Sequence, residues 1–497
     1  MIYNFNLGIG WASSGVEYAQ AYRAKVLRKI GKEAKFIFTD MFPRDSIAHM
    51  TANMGFQDEE VIWLYTFFTD FKTAPVSYTL SMLEATFGNR SFKFSRQGKT
   101  ARYEFEGKNN FYTAYMVDEE SDLVHRVEMV SRGCLVRKDY FTYGRIFSEY
   151  YGPLDGKAHL YQRRFFNEDG SVAYEEITDD DQVMYQFPDR LICSKEELVG
   201  YMVKCLQLTG EDVVIIDRST GIGQAILMNA GPARVGVVIH ADHYSEGSTD
   251  EKHILWNNYY EYVFSQWKHI DFYVASTDVQ NRLLRRQFLV YQGITPNVVT
   301  IPVGSLEELK YPAGERKRHS LITASRLASE KHVGWIVDAV VAAHERVPDI
   351  TLDIYGKGGE EEKLRKQIEQ ADAGAYIRLM GHHDLTEVYQ EYEAYISAST
   401  SEGFGLTLLE AVGAGLPMIG FDVRYGNQTF IEDEKNGYLI PVRDRMEERE
   451  RIEALSDRSI RLFTEADWDA FSRRSYELAE QYLTAKVEEK WKKILGM

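Results

Sequence analysis

Glu402 and Glu410 stand eight residues apart in the stretch STSEGFGLTLLEAVGAGLP, residues 399–417. The apolar run AYISAS precedes them, and a helix is expected from about Gly405. Glycines 403 and 405 let backbone N–H groups approach a pyrophosphate with no Cβ in the way. A carboxylate ahead of such a loop can accept hydrogen bonds from sugar hydroxyls, and one inside the following helix can take the two hydroxyls of a ribose. A second group lies in TASRLASEKHVGWIVDA, where Arg326 and Lys331 fall in the loop between an expected strand and helix. Arginine clamps a diphosphate through two hydrogen bonds and lysine adds a point charge. Together they offset the negative charge that develops on a departing nucleoside diphosphate. Standing alone, Arg326 and Lys331 would read better as a solvated basic loop.

A third candidate opens the chain. NLGIGWASSGVEYAQ reads as strand end, glycine turn and helix start. Gly8-x-Gly10 departs from G-x-G-x-x-G because position 13 is Ser, yet Asp40 closes the second strand where a ribose-binding acid of a dinucleotide fold sits. A nicotinamide cofactor is therefore one reading of this turn. Ser14 and Glu17 form a capping box, and the N–H groups of Gly15 and Val16 can face an anion at the helix start. A well-capped helix with no ligand accounts for the same residues.

Three textures must position these groups. Residues 2–6, 14–30 and 34–39 read as strand, helix ending at Gly31, and strand. From about 76 to 190, Tyr and Phe alternate with charged residues around turns at GKNN and NEDGS, the pattern of antiparallel strands with one solvated face. This insert is expected to be a β-meander, either purely structural or an aromatic-rimmed docking surface. After it, VVIID, RVGVVIH, FYVAS, NVVTI, SLITAS, TLDIYG, YIRLMG, AYISAS and PMIGF read as buried strands alternating with helices. The expected class is α/β, with two Rossmann-like doubly wound domains and an inserted β-meander domain. The expected boundaries are 1–75 with 191–305, then 76–190, then 306–497, the last helix packing back on the first domain. Ligands of such sheets sit outside the carboxyl ends of the strands, here in a cleft between the two halves.

Bulk properties bound the partners. The 497 residues carry a net charge of −17, which argues against non-specific nucleic-acid binding. The three cysteines, Cys134, Cys193 and Cys205, show no C-x-x-C spacing, so a disulfide scaffold or zinc ribbon is not expected and a cytoplasmic setting fits. No signal-peptide pattern and no run of eighteen apolar residues is present.

SRLASEK, GHHD, SEGFGLTLLEAVGAGLP and NGYLI together resemble the retaining, nucleotide-sugar-dependent glycosyltransferases of the GT-B fold. The opening NLGIGWASSGVEYAQAYRAKVLR, the Tyr-rich insert and VIHADHYSE extend the likeness over the whole chain. They resemble the GtfA family, the subunits that transfer GlcNAc to serine-rich repeat adhesins of Gram-positive bacteria. The resemblance implies UDP-GlcNAc as donor, with Arg326 and Lys331 on the diphosphate and His382 and His383 bordering the uracil. Glu402 with Gly403, Phe404, Gly405 and Leu406 would face the donor sugar and phosphate, and Glu410 the ribose. Gly15, Val16, Glu17 and Tyr18 would close on the diphosphate from the other half, and His240 would contact the sugar near the reacting carbon. It further implies a Ser/Thr-rich adhesin acceptor, a GtfB-like partner docked through the insert, and peripheral association of the complex with the inner face of the membrane. In that family Arg and Lys stand in for a divalent cation. The acidic ITDDDQV is therefore read as a solvated turn, and neither metal nor cofactor is expected. Two alternatives stay open: a polyol-phosphate (teichoic-acid) GlcNAc transferase, and a non-catalytic binding or chaperone subunit.

Overall fold

The computed structural model describes residues 1–9, 15–42, 46–107, 109–179, 182–443 and 446–496. Gly10 and Ser14 of the opening turn, and Asp180 and Asp181 of the acidic turn, lie outside them. The chain divides into two compact units, residues 1–238 with 256–272 and residues 239–255 with 273–497.

In the first unit, β1 (Ile2–Asn6), β2 (Ala34–Phe38) and β3 (Val61–Trp63) join β14 (Val213–Ile216) and β15 (Arg234–Ile239) in the order β15-β14-β1-β2-β3. Every pairing among these five is parallel, with Ile2 opposite Val213 on one side and Ala34 on the other. All four residues of β14 are buried, as a sheet covered on both faces requires. The chain leaves β1 through the helix Gly15–Lys29 toward β2, but leaves β14 through Gly223–Asn229 toward β15. The winding thus reverses between β1 and β14. A buried polar network occupies that reversal. Arg23 on the long helix donates to both carboxylate oxygens of Asp217 at 2.6 Å, Gln20 Nε2 donates to Asp217 Oδ2 at 2.7 Å, and Asn6 Nδ2 donates to Gln20 Oε1 at 3.0 Å.

The same unit carries the insert, a ten-stranded antiparallel meander whose strands β4 to β13 run in chain order from Phe92–Gln97 to Leu191–Ile192. Its aromatic residues are mostly core. Tyr140, Phe147, Phe165, Tyr174 and Phe187 form a stack across successive strands, with neighbouring centroids 4.2, 5.5, 4.5 and 4.7 Å apart. Tyr103, Tyr140, Phe147, Phe165, Tyr174 and Tyr185 are all buried, so the alternation seen in the sequence marks mainly an interior face. Phe92 and Phe94, on the edge strand β4, and Tyr161 are the aromatic side chains that this insert leaves most exposed among the described residues.

The second unit is built on a six-stranded parallel sheet of β20 (Ser320–Ala324), β21 (Thr351–Tyr355), β22 (Ile377–Gly381), β23 (Ala394–Ile396), β24 (Met418–Phe421) and β25 (Gly437–Ile440). Its order is β22-β21-β20-β23-β24-β25, so the winding reverses between β20 and β23. Helices Val333–His344, Glu361–Gln370 and Glu448–Thr464 bury Val337, Val340, Leu364 and Leu455 against one face. Leu408, Leu409 and Val412 of the helix Leu406–Gly413 join Tyr389, Tyr395 and Phe430 in a second core.

Candidate active site

In open parallel α/β sheets the binding crevice lies outside the carboxyl ends of the strands at the point where the winding reverses. In the second unit that point falls between the loop after β20, which carries Arg326 and Lys331, and the loop after β23, which carries Glu402. The two loops meet there. Lys331 Nζ donates to Glu402 Oε2 at 2.6 Å, and the two side chains keep 17% and 19% exposure. The pair is held by protein on most sides but open enough for a ligand to compete. Arg326 stands apart from it. Its guanidinium is 75% exposed and meets Glu330 at 3.2 Å, its one ion pair among the described residues. An exposed i,i+4 pair of this kind is worth a few tenths of a kcal/mol, so the guanidinium can swing to an incoming anion.

The glycines make the close approach possible. Gly405 caps the helix Leu406–Gly413 at φ 83°, a left-handed conformation that side chains disfavour. A β-carbon there would lie 2.6 Å from Leu408 Cδ1. Gly403 passes the carbonyl of His240, which a β-carbon would meet at 3.6 Å. Phe404 turns inward and packs on Phe430, while Leu406 is exposed. Glu410, one turn further along, accepts from the Tyr389 hydroxyl at 2.9 Å. Burial raises its pKa even though the residue keeps substantial solvent access. A carboxylate at this position can accept from both hydroxyls of a vicinal diol. His382 and His383 follow β22, both exposed, with His383 Nε2 against the Met380 carbonyl at 2.8 Å and its ring edge-on to Tyr355.

Arg326, Lys331, His240, His382, His383, Gly403, Phe404, Gly405, Leu406 and Glu410 thus lie in one unit with Glu402. Gly15, Val16, Glu17 and Tyr18 open the long helix of the first unit, Gly15 and Tyr18 exposed, Val16 and Glu17 buried. Asp40, the candidate ribose acid of a dinucleotide fold, has its carboxylate engaged by Lys195 instead.

Several further residues position these loops. Gly356 and Gly358 let the loop after β21 press on the Arg326 loop. A β-carbon at Gly356 would lie 1.8 Å from the Ser325 carbonyl oxygen, and one at Gly358 2.3 Å from that of Leu327. The string GKGG directly after a strand could have flagged them. Gly426 likewise gives way to Phe404, whose carbonyl oxygen a β-carbon would meet at 2.4 Å. Nothing in spacing or composition singled out Tyr389, His243 or Tyr425.

Two parallel α/β sheets, an antiparallel insert, and a Lys–Glu pair beside a glycine-lined helix start define a glycosyltransferase of GT-B type. The glycosyl transferases group 1 model matches residues 307–469, and the GtfA extended beta-sheet domain model matches residues 93–189. The chain belongs to the GtfA family, the GtfA subunits of UDP-N-acetylglucosamine–peptide N-acetylglucosaminyltransferases. It is 54% identical to the GtfA subunit of Streptococcus gordonii over 99% of this chain and 98% of that one. Among solved structures, it is similar to a GtfA/B complex with TM-score 0.97 and 54% identity, covering 100% of this chain and 99% of the other. It is also similar to the pneumococcal O-GlcNAc transferase GtfA in complex with UDP and GlcNAc, with TM-score 0.90 and 51% identity over 100% and 98% of the two chains. Among the described residues no helix is long and apolar enough to cross a membrane.

Proposed function

We propose that this chain is the catalytic subunit of a retaining peptide O-GlcNAc transferase. It moves GlcNAc from UDP-GlcNAc to Ser or Thr hydroxyls of a serine-rich repeat adhesin, the first sugar of its O-glycosylation. The observation that carries the reading is the Lys331–Glu402 pair at 2.6 Å across the reversal of the second sheet. UDP-GlcNAc entering there finds Lys331 and Arg326 for its diphosphate, the Gly403–Gly405 backbone for the phosphate and sugar, and Glu410 for the ribose. Glu402, released from Lys331 by the incoming diphosphate, turns to the sugar hydroxyls. As the bond from C1 to the diphosphate oxygen breaks, charge grows on UDP, and the two cations stabilise it without a divalent metal. The acceptor oxygen attacks C1 from the face the diphosphate leaves, which preserves the anomeric configuration. His240 lines that face.

The chain works with a GtfB-like subunit joined through the inserted sheet, and the complex rests on the cytoplasmic face of the membrane. Relatives of the same family, including one described in complex with UDP and GlcNAc and one in a GtfA/B complex, support donor and partner. The test is turnover of UDP-GlcNAc with a Ser/Thr-rich polypeptide and the partner subunit, read as mass added per acceptor. Glu402→Ala is expected to cut turnover about a hundredfold or more. Unchanged turnover in that variant, or transfer to a polyol-phosphate polymer in place of the polypeptide, would overturn the reading.

A further inference from the structure

Two stretches that carry residues expected at the reacting sugar are tied together through a third. Glu402 makes a one-residue parallel bridge with Tyr425. The N–H of Glu402 donates to the Arg424 carbonyl at 3.0 Å, while the N–H groups of Tyr425 and Gly426 donate to the Glu402 carbonyl at 2.6 and 2.8 Å. The side chains of the same two residues reach the other way, to the segment that follows His240. The Arg424 guanidinium donates to the Tyr244 hydroxyl and to Glu246 Oε2, the latter at 2.7 Å. The Tyr425 hydroxyl lies 3.1 Å from His243 Nδ1, with the Asp242 carboxylate beside it.

His243 is fully buried and its Nε2 lies 2.6 Å from the Gln287 amide oxygen. With that oxygen assigned toward the ring it can only accept, so Nε2 carries the proton and Nδ1 accepts from Tyr425. Burial lowers the His243 pKa to about 4, which keeps this tautomer neutral at physiological pH. Burial and the neighbouring Asp242 charge raise the Tyr425 phenol, so its proton stays in place.

We propose that Arg424 and Tyr425 form a brace that fixes the His240 segment against the Glu402 loop, and that Tyr425 and His243 are positioning residues for glycosyl transfer. Neither side chain needs to touch the donor. The brace sets the distance between two groups that do, and small misplacements at a reacting centre are costly. This rests on the glycosyl-transfer reading given above.

The experiment measures kcat and KM for UDP-GlcNAc with a Ser/Thr-rich acceptor and the partner subunit, for wild type, Tyr425→Phe, His243→Leu and the double variant. UDP-induced thermal shifts are recorded alongside. Tyr425→Phe keeps the ring and the backbone bridge and removes the hydroxyl that meets His243 and Asp242. The expected result is a kcat about tenfold lower in each single variant, with KM and the UDP shift within twofold of wild type. The double variant should be no worse than the poorer single one, because both act through the same contact. Wild-type kcat in Tyr425→Phe overturns the brace and leaves the transferase reading standing, as do losses that multiply in the double variant. A loss confined to KM with a collapsed UDP shift also overturns it, since that marks a donor-binding role. A wild-type complex that turns over no UDP-GlcNAc overturns the transferase reading, and the brace falls with it.

Discussion

Both parallel sheets reverse their winding once, between β1 and β14 in the first unit and between β20 and β23 in the second, and both reversals are occupied by a cation and a carboxylate. In the first, the Arg23 and Asp217 side chains are 3% and 0% exposed, and Gln20 and Asn6 extend the network into the first strand. The carboxylate is spent on groups of its own fold, with both oxygens accepting. In the second, Lys331 and Glu402 are paired only partly buried, beside glycine-lined loops. Equal topology therefore does not give equal chemistry. A reversal marks where a ligand can be held, and the exposure of the polar residues standing there decides whether they are available to hold one.

The largest expected effect breaks the closed network. Asp217→Ala leaves the Arg23 charge buried beside a lost partner, at a cost of about 3–5 kcal/mol, read as a lower urea midpoint or melting temperature. Turnover per folded molecule should change little at low temperature. Lys331→Ala should show the opposite pattern. Turnover falls about a hundred- to a thousandfold, while the melting temperature stays within a few degrees. If the two variants gave the same pattern, the contrast between a structural and a functional reversal would be lost.

Much of this contrast was legible in the residues. Continuous apolar strands broken by helices announced two parallel sheets, and the alternating Tyr and Phe residues announced the meander. Glu402, Glu410, Arg326 and Lys331 stood out because carboxylates and cations sat beside glycines at strand ends. Exposure was not legible. Alternation says that one face of a strand is apolar, but not whether that face is core or surface, and in the insert it is mostly core. Asp217 and Gln20 gave no signal because their partnership spans 197 residues of sequence. The same holds for the contact of Tyr425 with His243, 182 residues apart, since no local period encodes a hydrogen bond between distant loops.

A middle-sized effect tests whether the helix start of the first unit serves the open site. Among the described residues a β-carbon on Gly15 would meet no heavy atom within 4 Å, so Gly15→Val should leave the melting temperature nearly unchanged. If its N–H faces the donor diphosphate, the added bulk should lower turnover about tenfold, or about 1.4 kcal/mol in barrier. Wild-type turnover would confine the donor site to the second unit.

The smallest effect concerns a buried group that belongs to neither reversal but adjoins the open one. The folded His243 binds its second proton only near pH 4, below the ordinary value of 6.5, because burial disfavours the imidazolium. Between those values the unfolded chain binds more protons than the folded one, so stability rises with pH across the window. The contribution is complete above about pH 6.5 and is lost as pH falls toward 4, the loss reaching about 1.4 kcal/mol at pH 5.5. Other titrating groups act in the same range, so the measurement is a difference: melting temperature against pH for wild type and for His243→Leu, each referred to its own value at pH 7.5. The wild-type curve should drop more steeply below pH 6.5 than that of the variant. Parallel curves would mean that His243 accepts a proton as easily in the fold as outside it. Its Nδ1 would then not be committed to accepting from Tyr425, and the link from this ring to the Glu402 loop would be broken.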